Sequence, residues 1–167
     1  MDWYTFLIIL HIVGTALGVG GATFAEVNII RALRDGVVSI EESELMRGTY
    51  MVLRFGLFLL VFSGFGFLLF YRLNGTTEML YSPMLWAKLT IIGVLVLNVM
   101  LLHSRKISLL LGSAISITSW YTALILGVLF RGVQYSYVSV LIVFIISVAI
   151  MYFVINFVHQ KFTLHKQ

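Results

Sequence analysis

The chain has 167 residues, 60% of them hydrophobic and 11% charged, with a mean hydropathy of +1.04. That balance excludes an ordinary soluble domain and fits one polytopic membrane bundle over residues 1–167, without separate domains. The absence of cysteine excludes disulfides, thiolate metal sites and cysteine nucleophiles, and the net charge of +4 lies beside apolar segments, where basic residues report topology rather than nucleic-acid binding.

Five segments approach the roughly 20 apolar residues that cross a hydrocarbon core: residues 3–26, 49–71, 84–103, 107–130 and 136–158. Lipid offers no partner to an open strand edge, so each is expected to be helical and the fold all-α. No basic residue precedes the first segment, which therefore reads as a retained helix and not as a cleavable signal peptide. Along it, His11, Gly14, Gly18, Gly21 and Ala25 share one helical face. Such a face admits either a second helix or a flat ligand directly against the backbone. The charged loop that follows is expected to continue the first helix for some residues. Its Ser39-x-x-Glu42 spacing matches a capping box and predicts a short interfacial helix leading to Arg47. Asn74-Gly75 marks a turn after the second segment, Pro83 suits the first turn of the third, and His103-Ser-Arg-Lys allows only a tight hairpin before the fourth.

Basic residues divide unequally between the two sides: Arg31, Arg34, Arg47, Arg105, Lys106, Lys161 and Lys166 on one, Arg72 and Arg131 on the other. The positive-inside rule then places the N-terminus outside and the C-terminus in the cytoplasm, and the expected location is a bacterial cytoplasmic membrane. Trp3, Tyr4, Tyr71, Tyr81, Trp86, Tyr135 and Tyr137 form the expected outer aromatic belt.

A rise of 1.5 Å per residue converts position into depth, putting His11 roughly 12 Å and Trp120 and Tyr121 roughly 14 Å below the outer ends of their helices. Ser63, Gly64, Gly93 and Ser147 are small residues at that level, so a planar group has room beside His11. A deeper polar layer contains Glu26, Arg54, Asn98 and Ser113. A charge at that depth costs at least ~2.5 kcal/mol without a partner, which predicts a Glu26–Arg54 pair. Lys88, near the outer surface, either snorkels to headgroups or faces an acidic ligand. Each feature also has a purely structural reading: His11 bonding a neighbouring helix, the glycines and the Ser113, Ser116, Ser119, Thr122 run packing and hydrogen-bonding between helices, and the Glu26–Arg54 pair fixing register. Two histidines that share an iron must be level. His11 and His103 differ by roughly 16 Å, whereas His103 and His159 are level and remain an alternative metal pair. No Ser-His-Asp set, phosphate loop or GxSxG motif is present.

His11, the Gly20-Gly21 pair, the loop ending Glu44-Leu-Met-Arg47 and the Trp86-Ala-Lys88-Leu89 stretch resemble the superfamily that includes HemJ-type protoporphyrinogen oxidases and CopD-type copper-resistance proteins. The resemblance covers the first three helices and its motifs are short. It implies haem b associated with His11 and a functional Lys88. Asn98 stands near the place of a further third-helix histidine in that family, and the family's Arg-x-x-Asn-Glu pattern is absent.

The leading expectation is a five-helix membrane protein that binds haem b or a similar flat redox cofactor, for electron transfer or porphyrinogen oxidation. His11 would ligate the metal, Gly14, Gly18, Gly21, Gly64 and Gly93 would make room, and Trp120 and Tyr121 would wall the ring. Lys88, Arg54 and Glu26 are the candidates for chemistry. The alternative is a non-enzymatic transport or accessory subunit, in the copper-handling manner of CopD or as an assembly partner in a homo-oligomer or larger membrane complex. The scattering of Met46, Met51, Met79, Met84, Met100 and Met151 speaks against copper.

Overall fold

The computed structural model describes residues 2–35, 39–129 and 135–164. Within them the chain forms five long α-helices: α1 (Trp3–Asp35), α2 (Ile40–Leu73), α3 (Pro83–His103), α4 (Leu109–Leu129) and α5 (Tyr137–Leu164), with a short 3-10 turn at Thr77–Tyr81 before α3. Each long helix contains a stretch long and apolar enough to cross a membrane. Arg131, Lys166 and the side chain of Arg34, all part of the charge count, lie outside what is described.

The helix ends follow from local chemistry. Asp2 accepts a hydrogen bond from the Thr5 backbone N–H at 2.7 Å, satisfying one of the free donors at the start of α1. Hydrogen bonding to the Thr5 side chain, and then this backbone bond, hold the Asp2 carboxyl below the usual carboxylate range. The Ser39/Glu42 capping box is present in both directions, the Glu42 N–H bonding Ser39 at 3.1 Å and the Ser39 N–H bonding Glu42 at 2.9 Å. It starts a single helix and not a separate interfacial one, because no proline or paired breaker intervenes between Ile40 and Leu73, and Gly48 alone costs only about 1 kcal/mol. Gly75 turns the chain with φ +72°, Pro83 occupies the first turn of α3, and Arg105 adopts φ 54° in the tight α3–α4 connection.

Helices α1, α3 and α5 run one way and α2 and α4 return. The tightest pair is α1–α2, where backbones approach closely: a Cβ on Gly56 would stand 2.9 Å from the Gly18 nitrogen and 3.0 Å from the Gly14 carbonyl. Beyond it, α4 packs against α1, α3 and α5. The buried apolar residues form two groups, Met84, Ala87, Ile91, Leu126, Val140 and Phe144 among α3, α4 and α5, and Ala22, Leu60, Leu95 and Trp120 among α1 to α4. Much of the remaining surface is apolar, including Phe58, Phe62 and Phe65 on α2 and Ile145, Phe153 and Phe157 on α5. On a helix in water such exposure is unfavourable, whereas acyl chains solvate it without cost.

α2 makes its close helix-to-helix contact on one side only, reaching α3 and α4 through side chains such as Leu60. It packs along α1, and among the described residues no comparable helix contact joins it to α3 or α4. A cleft of about 300 Å³ lies between them.

Candidate functional site

Polar residues gather at two levels, one at each end of the bundle. At the first, the His11 Nδ1 lies 2.9 Å from the Ser63 hydroxyl. Ser63 is fully buried and also lies 2.6 Å from the Leu59 carbonyl and 3.1 Å from that of Leu60. Carbonyls only accept, so the single hydroxyl proton of Ser63 points to them and its oxygen accepts from His11 Nδ1–H. The imidazole is then the tautomer whose Nε2 carries the lone pair. Phe67 stands edge-on to the ring with centroids 5.4 Å apart, and the Lys88 charge on α3 acts on it across the bundle.

At the second level, Glu26 is buried on α1 and joins three helices. Its Oε2 accepts from the Ser113 hydroxyl of α4, and its Oε1 lies 3.5 Å from His159 Nε2 of α5. The expected Glu26–Arg54 pair is therefore corrected: Glu26 turns toward α4 and α5, while Arg54 lies on the open side of α2, exposed and lining the cleft. Tyr50, also on the cleft, is within electrostatic reach of Glu26. Close by, Asn98 donates to the Gly112 carbonyl at 2.9 Å and ties α3 to α4.

The residues expected to hold a flat ring are not brought together. Gly14 and Gly21 face the α2 backbone and Leu53, and Gly18 is covered by the indole of Trp120, which is 2% exposed. Depth counting puts Trp120 level with His11, but side chains lean toward the N-terminus of their own helix. Because α4 runs opposite to α1, the indole leans away from His11 and settles about two turns further along α1. Tyr121 is 40% exposed and lies 3.1 Å from Thr23, whose hydroxyl proton serves the Val19 carbonyl, so the phenol is the donor. Gly64 and Gly93 have open space where a Cβ would stand, and Ser147 bonds its own helix at Val143. A haem lying on the Gly14, Gly18, Gly21 face with Trp120 and Tyr121 as walls thus does not fit, because that face is filled by protein. His11 alone retains a ligand's geometry, with Nδ1–H engaged and Nε2 left as a lone pair.

The alternative pair of His103 and His159 is also separated. His103 lines the cleft between α2 and α3, and His159 turns to Glu26. Among the described residues no group of three or more His, Asp or Glu side chains could hold a metal ion. The Glu26–His159 relation is absent from the sequence reading, which ends the fifth span at residue 158 and considers His159 only as a metal partner of His103. The helix continues to Leu164, and the His159 side chain is only 19% exposed. The lone carboxylate within the first apolar run was the available signal, since it requires a partner level with it.

The cleft is the remaining candidate. Leu53, Leu57, Leu95, Val99, Leu102 and Leu109 give it apolar walls, Trp120 closes its floor, and Arg54, His103, Tyr50 and Ser116 supply polar groups. No ion pair among the described residues engages Arg54.

Five apolar helices of spanning length and an apolar perimeter define an integral membrane protein. No protein-family profile, curated protein or solved structure matches the chain significantly.

Proposed function

We propose that the chain is a non-enzymatic membrane protein that takes an amphipathic anion, an apolar chain with an acidic head, from the bilayer into the cleft between α2 and α3–α4. The observation that carries this reading is Arg54 set among apolar walls in a space of about 300 Å³, the lower end of ligand-pocket sizes. A guanidinium inside a spanning segment is costly unless something neutralises it, and no carboxylate of the described chain does so. An acidic head beside Arg54 would supply the missing charge, the leucines would hold its chain, and the open side of α2 is a route from lipid that crosses no headgroup layer. This is the transport or accessory class of function, and the N-outside orientation remains part of the proposal, resting on the charge count alone.

The test uses Trp120 as reporter. Replacing Trp3 and Trp86 by Phe leaves it as the only one of three tryptophans. Energy transfer from Trp120 to cis-parinaric acid in detergent should be saturable, and Arg54→Gln should weaken it at least about tenfold, the loss of one charge-assisted hydrogen bond of ~1.5–3 kcal/mol. The methyl ester of the same probe should bind both proteins alike. Transfer that does not saturate, or that ignores Arg54, ends this reading.

Haem b binding retains one support, the engaged Nδ1 of His11 and the lone pair that this leaves on Nε2. When bound, the group would supply one-electron chemistry, with His11 as its single protein ligand and Lys88 as the cation nearby. An absorption spectrum after haem-sufficient expression tests it: a Soret band lost in His11→Ala supports the site, and a featureless spectrum after haem titration removes it.

A further inference from the structure

We propose that Glu26, Ser113 and His159 form a proton-binding site inside the membrane, holding one proton between carboxylate and imidazole. Glu26 Oε1 makes no hydrogen bond and lies 3.5 Å from His159 Nε2. Both side chains are largely enclosed, at 10% and 19% exposure. A carboxyl and an imidazole so enclosed have one total proton count without net charge, a single proton shared between them. Removing it leaves an uncompensated carboxylate in a medium that penalises charge, and adding another leaves an uncompensated imidazolium.

Ser113 decides where that proton rests. Its hydroxyl donates to Glu26 Oε2, and donation to a carboxylate favours the ionised form. The resting state is therefore carboxylate and imidazolium, with the proton on His159 Nε2. The titratable neighbour on α2 is Tyr50, which lies within electrostatic reach of the Glu26 charge. On α4 the facing group is the hydroxyl of Ser113, and the charged residues that follow on α1 and α5, Arg31 and Lys161, are exposed. When the pair loses its proton, the attraction between α1 and α5 at this point is lost with it.

Imidazole nitrogen NMR on protein labelled at its four histidines and placed in lipid nanodiscs tests the site, with His159→Gln assigning the signal. In the unaltered protein at neutral pH, both His159 ring nitrogens are expected to carry protons, and one is lost on moving to alkaline pH. Glu26→Gln should lower the doubly protonated population at neutral pH by at least about tenfold, since it removes the opposing charge. Ser113→Ala, a milder change, should move part of the proton to Glu26, seen as a smaller imidazolium signal with a new infrared band from protonated carboxyl. A singly protonated His159 in the unaltered protein at neutral pH overturns the proposal. So does an imidazolium signal that neither substitution changes.

Discussion

The indole of Trp120 occupies the place that a side chain at Gly18 would need. One contact therefore joins α4 to the α1–α2 pair and also shapes the floor of the cleft. Gly18→Val should displace the ring, cost about 1–3 kcal/mol as overpacking does, and shift Trp120 emission to longer wavelength in the Trp3→Phe, Trp86→Phe background. Unchanged emission would mean that the indole does not rest on Gly18.

The glycines of α1 and α2 are not equivalent. A Cβ on Gly56 meets backbone atoms of Gly14 and Gly18, which cannot rotate away, whereas one on Gly20 meets nothing within 4 Å. Gly56→Ala should lower the thermal midpoint, with a cost again of about 1–3 kcal/mol. Gly20→Ala should be neutral or stabilising by up to about 1 kcal/mol, from helix propensity alone. Equal midpoints for the two variants would contradict the close α1–α2 approach.

Ser63→Ala leaves His11 Nδ1–H buried against a methyl group. The expected loss is about 1–3 kcal/mol, the cost of an unsatisfied donor, and His11→Leu combined with Ser63→Ala should recover part of it because both polar partners are then gone. Denaturation of the two single variants and the double variant reads the coupling. Strict additivity would show that the two side chains do not interact.

Two helix starts offer a prediction outside the apolar spans. Ser39→Ala removes the capping box and should cost about 1 kcal/mol, appearing as faster amide exchange over the first turns of α2 and nowhere in the spans. Asp2 behaves differently because its cap is a carboxylate. Its folded value lies below the unfolded one, so its contribution is present above the ordinary carboxylate range and is lost as pH falls through the lowered value. Exchange at the Thr5 amide should quicken only in that acidic window, and Asp2→Asn should remove the pH dependence.

The number and type of the spanning helices and the breaks between them were legible because apolar runs of spanning length, Pro83, Asn74-Gly75 and the Ser39/Glu42 spacing are local signals, whereas the polar extensions of α2 and α5 beyond those runs were not. Nor were the faces. In water, the polar side of a helix shows which way it points, but a helix such as α5 is apolar nearly all round, so its sequence holds little record of which side meets a neighbour. Depth counting therefore put Trp120 beside His11, when only the opposed directions of α1 and α4 show that the indole leans the other way. Glu26 was legible as a residue that needs a partner. Arg54 was the nearest charge by count, but α2 turns it toward the open cleft, and the partner came from a histidine one residue past the counted end of α5.

The lengths of α1 and α2 carry one more consequence. With 33 and 34 residues, they are about 50 Å long at 1.5 Å per residue, against a hydrocarbon core of about 30 Å. The surplus lies at the end bearing Glu41, Glu42, Glu44 and Arg47, so the two helices leave the bilayer together as a charged spur, pinned near its base by Asn28 and Thr49 at 3.3 Å. Since the backbones touch at Gly14 and Gly56, the pair is stiff along its length.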